Sequence, residues 1–175
     1  MIKKYKTKIK DLFVFQSKTY KDKRGYFKEI LKEKLINKKF PFKVMSYSKK
    51  NVIRGLHLQK KKTQGKFVTV VKGKIFDIVV DLRKNSKTFG KKFSIVLSEK
   101  NSKSIYVPPG FAHGFCTLEK NNYVIYSCTN YRHKTSETGI IYNDKTLKIK
   151  WPTNKPLVSI KDKRNHTYLS FIKTL

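Results

Sequence analysis

Acidic side chains are scarce in this chain: 11 Asp and Glu stand against 42 Lys and Arg, a formal charge of +31 over 175 residues. A field of that sign attracts polyanions of every kind. Arginine is scarce as well, limited to Arg24, Arg54, Arg83, Arg132 and Arg164, and the lysines are strewn along the chain instead of forming a block. Arginine is the side chain that forks onto phosphates and base edges, so dispersed lysine reads as a solvated surface and no nucleic-acid partner is expected. Cysteine is limited to Cys116 and Cys128. Their spacing suits neither a CxxC metal site nor a disulfide framework, which leaves buried free thiols. No apolar run approaches the roughly 20 residues of a membrane span, and Met1-Ile-Lys-Lys-Tyr-Lys lacks the apolar stretch of a secretion signal. A cytoplasmic protein with no membrane partner is the expectation. Neither GxGxxG nor GxxxxGK[ST] occurs, which removes bound NAD and phosphate-loop chemistry.

What is present is core material: 38% of residues are hydrophobic and 13% aromatic, mostly Phe and Tyr. That suffices for one domain spanning residues 1–175. Short runs rich in Val, Ile, Phe and Tyr, separated by Gly, Asn, Lys or Pro, read as strands at 12–16, 26–29, 42–48, 67–71, 75–82, 93–97, 104–107, 115–118 and 123–129. Lys72-Gly73 falls between two of them and predicts a tight hairpin of adjacent antiparallel strands. Ile30, Leu31, Leu35 and Ile36 recur at helical spacing, predicting a short peripheral helix over about 29–37. Many strands without alternating helices indicate an all-β sandwich or jelly-roll barrel. After Trp151-Pro152 the pattern fades, and residues from about 153 to 175, with Asp162, read as an extended C-terminal tail.

Two of the four histidines have informative surroundings. His57 lies in Asn51-Val-Ile-Arg-Gly-Leu-His-Leu-Gln59, and His113 lies in Val107-Pro-Pro-Gly-Phe-Ala-His-Gly-Phe115. His133 and His166 sit in polar loops and read as exposed. A lone histidine in a barrel is as often a hydrogen-bonded interior residue as a functional one, so the histidines alone decide nothing.

A series of motifs is more specific. In order come Asp22-Lys-Arg-Gly-Tyr-Phe-Lys-Glu29, Asn51-Val-Ile-Arg-Gly-Leu-His57, Gln64-Gly-Lys66, Gly73-Lys-Ile-Phe-Asp77, Val80-Asp-Leu-Arg83 and Ser86-Lys-Thr-Phe-Gly90. Pro109-Gly-Phe-Ala-His-Gly-Phe115, Tyr126-Ser-Cys-Thr-Asn-Tyr131, Asn143-Asp144, Trp151-Pro152 and Lys161-Asp162 follow. By these pieces the chain resembles the dTDP-4-dehydrorhamnose 3,5-epimerases, cofactor-free enzymes with a cupin-type jelly roll. The resemblance implies a cupin-type barrel with one or two short peripheral helices, a homodimer, and a nucleotide-linked 4-keto-6-deoxyhexose as substrate.

It also implies roles. The C4 ketone of such a sugar acidifies the hydrogens on C3 and C5. Epimerisation then needs a base, a group that stabilises the enolate oxygen, and an acid on the other face. His57 matches the base, and an imidazole suits that task with an ordinary pKa of about 6.5. Asp162 matches the carboxylate that orients it, Tyr126 the acid, and Lys66 the cation near the C4 oxygen. Arg24, Glu29, Arg54, His113, Glu137 and Lys161 match positions lining the sugar, phosphate or nucleoside pocket. The chain departs from the family pattern at its nucleoside end: Phe42-Lys43-Val44 stands where Gln-x-Asn is usual, and Arg132 replaces the aromatic residue that stacks on the base. A guanidinium can take that place as a nucleobase contact.

Cupins also house metal enzymes, whose HxH pair would need a second ligand at Gln59. No metal site is expected, and no flavin or nicotinamide, because moving a proton off carbon and back changes no oxidation state. Within the class the alternative is an epimerase that inverts only C3 or C5, or one using another nucleotide sugar. Outside the class it is a non-catalytic basic cupin that binds polyanions.

Overall fold

Alternation of apolar and polar residues, which turns successive side chains to opposite faces of a strand, sets the architecture of the computed structural model, which describes residues 1–175. In chain order the strands are β1 (Ile2–Lys6), β2 (Phe13–Ser17), β3 (Thr19–Asp22), β4 (Gly25–Lys28), β5 (Phe42–Lys49), β6 (Val52–Gln59) and β7 (Lys66–Lys72). Then come β8 (Lys74–Asp81), β9 (Lys92–Ser98), β10 (Lys103–Val107), β11 (Phe111–Thr117), β12 (Asn121–Cys128), β13 (Glu137–Gly139) and β14 (Leu157–Val158). One sheet has the order β1-β2-β10-β7-β12-β5; a second has β13-β6-β11-β8-β9 with β14 alongside β6; β3 and β4 form a separate hairpin. All pairings are antiparallel except β14 with β6. This is the all-β jelly-roll arrangement that the strand pattern predicts.

The two large sheets face each other across a core. Val68, Val70, Ile105 and Val124 from the first sheet pack with Ile75, Val79, Leu97, Phe111 and Phe115 from the second. A second cluster lies on the outer side of the second sheet, where Leu56, Leu58, Ile78, Val80 and Ala112 are covered by Ile140, Leu147, Tyr168 and Phe171. At about 25 cal/mol per Å² of apolar surface removed from water, these two layers dominate the stability.

Three expectations need correction. Lys72-Gly73 is not a hairpin: β7 pairs with β10 and β12, whereas β8 pairs with β11 and β9, so the turn carries the chain from one sheet to the other. Gly73 has φ +87°, and a Cβ there would lie 2.4 Å from the Asn121 carbonyl oxygen, so glycine is required by the crossover and not by strand pairing. The helix over 29–37 shrinks to a single 3-10 turn, Glu33–Leu35. Its apolar residues are used, but by direct packing of Leu31, Leu35 and Ile36 on Phe15, Phe40 and Phe67, which needs no helical face. The tail is not extended throughout: it contains α1 (Ile160–Lys163) and α2 (Tyr168–Ile172). The hydroxyls of Ser159 and Thr167 accept from the amides of Asp162 and Ser170, capping each helix at its start. Strands β1 and β3 carry no sequence signal, because Ile2-Lys-Lys-Tyr-Lys and Thr19-Tyr-Lys-Asp are too polar to mark a buried face.

Candidate active site

Five of the strands turn polar side chains into the space between the sheets at one end of the barrel, in line with the core residues. Lys66 continues the inward row of Val68 and Val70 on β7; Tyr126 continues Val124 on β12; His113 lies between Phe111 and Phe115 on β11. Together with Ser46 on β5, His57 and Arg54 on β6, and Asp162 on α1, they line a cavity of about 880 Å³.

Arg54 and His57 are three apart, and strict alternation would send them to opposite faces of β6. The register explains why both reach the cavity: His57 lies opposite His113 and Arg54 opposite Phe115, so Gly55 and Leu56 face the single residue Gly114. That is a β-bulge. Gly55 adopts φ +118°, and a Cβ on it would lie 2.6 Å from the Gly114 Cα, which is why the bulge takes glycine.

The bulge also builds the histidine–carboxylate pair. His57 Nε2 lies 2.7 Å from Asp162 Oδ1, and the Gly55 amide donates to Asp162 Oδ2 at 3.2 Å. Burial of Asp162 favours the neutral acid, but the bond to His57, its charge and the donor at Gly55 outweigh that and hold the carboxyl below its ordinary range. An ionised Asp162 accepts, so Nε2 carries the proton and Nδ1 keeps the free lone pair.

Tyr126 stands on the other sheet. Its hydroxyl is 3.1 Å from Ser46 Oγ, and its ring meets His113 edge-on with centroids 6.5 Å apart. Burial pushes the phenol pKa well up, against the opposing bond to Ser46, so the hydroxyl keeps its proton. Desolvation acts the other way on Lys66, lowering its pKa. His113 Nε2 is 2.8 Å from Asp77 Oδ2, and both side chains are buried.

At the mouth, Glu137 is the hub. Arg132 donates to it through Nε at 2.5 Å and Nη2 at 2.8 Å, and Lys161 through Nζ at 3.1 Å. The Arg132 bonds first, then Lys161, hold Glu137 down at about 2 against burial. Phe42 and Val44 line the cavity from β5, opposite Cys128 and Tyr126, with the Phe42 and Tyr131 rings 5.8 Å apart. Arg54 donates to Ser48 Oγ at 2.9 Å and to the Tyr47 carbonyl at 3.1 Å. Gln59 is committed to a loop: Nε2 donates to the Lys62 carbonyl and Oε1 accepts from the His133 amide. Cys116 and Cys128 are buried free thiols.

The cavity therefore brings together His57, Asp162, Tyr126, Lys66, Arg54, His113, Glu137, Lys161 and Arg132. It does not bring in Arg24 or Glu29. Arg24 projects from the β3–β4 turn, 85% exposed and paired with Asp22, while Glu29 pairs with the Met1 amino group and Lys32. Of the two other histidines, His166 is exposed as expected, whereas His133 is half-buried with Nδ1 on Ser136. Three polar partners escaped the sequence reading: Ser46, Ser159 and Asp77. Only Asp77 carried a signal, as a carboxylate inside the apolar run Ile75-Phe-Asp-Ile-Val-Val80.

A family model described as dTDP-4-dehydrorhamnose 3,5-epimerase matches residues 6–169. The chain is 42% identical over 164 residues to the dTDP-4-dehydrorhamnose 3,5-epimerase of Shigella flexneri, covering 90% of this chain and 91% of that protein. Among solved structures it is similar to a dTDP-6-deoxy-D-glucose-3,5-epimerase of Legionella pneumophila in complex with dTDP-4-keto-L-rhamnose, with TM-score 0.91, 38% identity, and 95% of this chain and 93% of that one covered. It is also similar to an epimerase of Mycobacterium tuberculosis, with TM-score 0.92, 31% identity and coverage of 98% and 91%.

Proposed function

The chain belongs to the dTDP-4-dehydrorhamnose 3,5-epimerase family, and from that premise we propose that it inverts C3 and C5 of a dTDP-linked 4-keto-6-deoxyhexose, with His57 as base and Tyr126 as acid. The observation that carries the reading is their placement on opposite walls: His57 projects from one sheet and Tyr126 from the other, with the cavity between. A sugar ring lying there meets a base on one face and a proton donor on the other, which is the requirement for inversion.

Nδ1 of His57 takes the hydrogen beside the ketone, and Asp162 stabilises the imidazolium that results. The Lys66 ammonium meets the negative charge that develops on the C4 oxygen in a desolvated site, where a fixed charge acts most strongly. Tyr126, kept protonated by burial, returns a proton to the opposite face. His113 binds from the buried wall of the cavity, and Arg54 from its solvent-exposed edge beside Ser48 and Tyr47. The forked pairing with Glu137 fixes the plane of the Arg132 guanidinium at the mouth, a flat surface suited to a nucleobase, while Lys161 beside it offers charge to phosphate. No redox group or metal enters this scheme.

We also infer a homodimer. β5 ends its sheet, leaving an unpaired edge where Val44, Met45 and Tyr47 are exposed, and the β3–β4 hairpin exposes Tyr20, Tyr26 and Phe27. A second copy would cover such surfaces and offers a route by which Arg24 reaches a substrate. The free thiols fit the reducing cytoplasm; no helix is long and apolar enough to cross a membrane.

The test is incubation with dTDP-4-keto-6-deoxyglucose in D2O followed by NMR. Deuterium entering at C3 and C5, with the rhamno-configured ketone as product, supports the reading; exchange at one carbon points to a single-centre epimerase, and none overturns it. Light scattering on the purified protein tests the dimer.

A further inference from the structure

We propose that Ser46 is the positioning residue of the acid: its hydroxyl donates to the Tyr126 oxygen, so that the phenol's own proton stays aimed at the sugar and the phenolate left behind keeps a hydrogen-bond donor. The inference rests on the proposed function in that Tyr126 is the acid.

Strand alternation puts Phe42, Val44, Ser46 and Ser48 on one face of β5. The first three line the cavity, and Ser48 Oγ accepts from Arg54. In the register Val44 stands opposite Tyr126, and Ser46 stands opposite Val124. The phenol therefore leans along the sheet to bring its hydroxyl within 3.1 Å of Ser46 Oγ, a diagonal that an aromatic side chain can span. From the facing sheet His113 meets the ring edge-on at 6.5 Å and Phe115 lies 6.4 Å away, so the ring is held by packing and the oxygen by Ser46. Ser46 is the only hydrogen-bond partner of the Tyr126 hydroxyl, and Tyr126 the only one of the Ser46 hydroxyl.

Each hydroxyl has one hydrogen to give. If Tyr126 gave its own to Ser46, the proton needed at carbon would point along the wall of the cavity. With Ser46 donating, a lone pair of the phenol is tied down and its hydrogen is left for the sugar. No other protein acceptor competes for the Ser46 hydrogen. The proton then passes from the Tyr126 oxygen to the enolate carbon, whose electron pair becomes the new C–H bond, and Ser46 keeps its proton throughout. The same hydrogen bond gains importance after transfer, because the phenolate forms in a desolvated site where a fixed donor to an oxyanion acts most strongly. Burial resists that charge, and the bond to Ser46 counters burial ahead of the more distant charge of Arg54.

The test is a cycle of Ser46→Ala and Tyr126→Phe, read by NMR on dTDP-4-keto-6-deoxyglucose in D2O. Ser46→Ala should lower kcat for inversion about tenfold or more, the size expected for losing a hydrogen bond to a charged group. Deuterium exchange by His57 with configuration retained should continue, and KM should stay near the wild-type value because the lost bond is to the acid and not to the sugar. In the Tyr126→Phe background the same alanine should leave exchange unchanged, which a merely structural role does not predict. Ser46→Thr keeps a hydroxyl on a β-branched side chain that suits a strand, and should restore inversion. Ser46 is half-buried on the strand that ends its sheet, so urea midpoints of all the Ser46 variants should stay close to that of their parent. Inversion unchanged in Ser46→Ala, an equal loss of exchange in both backgrounds, or a threonine variant as slow as the alanine one overturns the proposal. Inversion that survives in Tyr126→Phe removes the proposed acid and this inference with it, whereas a required Tyr126 beside a dispensable Ser46 overturns this inference alone.

Discussion

His57 and Asp162 are 105 residues apart in the chain and 2.7 Å apart in the fold. Two local devices make that contact: the bulge at Gly55 turns His57 and the Gly55 amide toward the same carboxylate, and the Ser159 cap starts the single helical turn on which Asp162 is the only buried residue. The rest of that turn is solvent-facing, with Ile160 70% exposed, so the carboxylate is what attaches it to β6.

The pair predicts separable phenotypes. His57→Ala should abolish deuterium exchange at both carbons. Asp162→Asn keeps the shape but loses the ionised acceptor, so exchange should fall by about 10²-fold or more with the fold intact, as for the orienting member of other base pairs. Exchange by His57→Ala near the wild-type rate would show that another group is the base.

Gly55→Ala should damage stability and chemistry together. The added methyl meets the Gly114 backbone at 2.6 Å in a conformation that L residues rarely adopt, and backbone cannot move aside as a side chain can. A loss of about 2 kcal/mol or more in denaturant unfolding is expected, with Arg54 and His57 no longer sharing a face. An alanine variant of unchanged midpoint and activity would show that the bulge is dispensable.

Gly55 also marks the boundary of what the sequence makes legible. Strand runs such as Ile75–Leu82 are legible from their density of β-branched and aromatic residues, since this strand is buried on both faces and does not alternate. The joint placement of Arg54 and His57 breaks the period of two and was recognisable only as a motif. The Lys72-Gly73 turn looked like a hairpin because glycine permits both a hairpin and a crossover, and only pairing with distant β10 and β12 decides between them. The tail residue Asp162 was matched by motif as well, since its partners Gly55 and His57 are non-local. Arg24 and Glu29 remain outside the cavity: Arg24 sits in the β3–β4 turn paired with Asp22, and Glu29, just past β4, is held by the Met1 amino group.

Acid should weaken the loop after β8. Burial opposes ionisation of Asp81, but Arg83, Ser86 and Thr88 all donate to it and bring its pKa to about 2. A folded pKa below the unfolded value contributes stability that is complete above about pH 4 and fades as pH falls through about 2. The stability difference between wild type and Asp81→Asn, from urea midpoints, should therefore shrink from pH 5 to pH 2. A constant difference across that range would mean that ionisation of Asp81 contributes nothing.

The surplus of positive charge should act on the substrate. With +31 on the chain and an anionic diphosphate to be captured, kcat/KM should fall as ionic strength rises, while nucleotide-sugar binding survives about 0.15 M salt. Binding to DNA or RNA should be weak, sequence-blind and steeply lost over the same range. Sequence-selective nanomolar RNA binding at that salt would favour a polyanion-binding cupin.

Tyr126→Phe should separate proton exchange from inversion. His57 can still remove the acidic hydrogen and return deuterium to the face it came from, so the variant should wash label into the substrate. Delivery to the other face requires a donor on the opposite sheet, and the Tyr126 hydroxyl is placed there, held by Ser46 at 3.1 Å. Phe keeps the ring that packs near His113 and Phe115, so the change removes a proton and one hydrogen bond and leaves the packing alone. Ser46 faces the cavity and can rebond to water, which limits the cost to stability. The expected spectrum is deuterium at C3 and C5 with configuration retained and little inverted product. Arg132 lies at the mouth of the cavity and should leave this partition untouched when substituted, whereas Val44, directly opposite Tyr126 on β5, is a packing neighbour of the phenol. If Tyr126→Phe inverts both centres at the wild-type rate, the acid is water or another side chain, and the opposed-wall geometry is not what sets the stereochemistry.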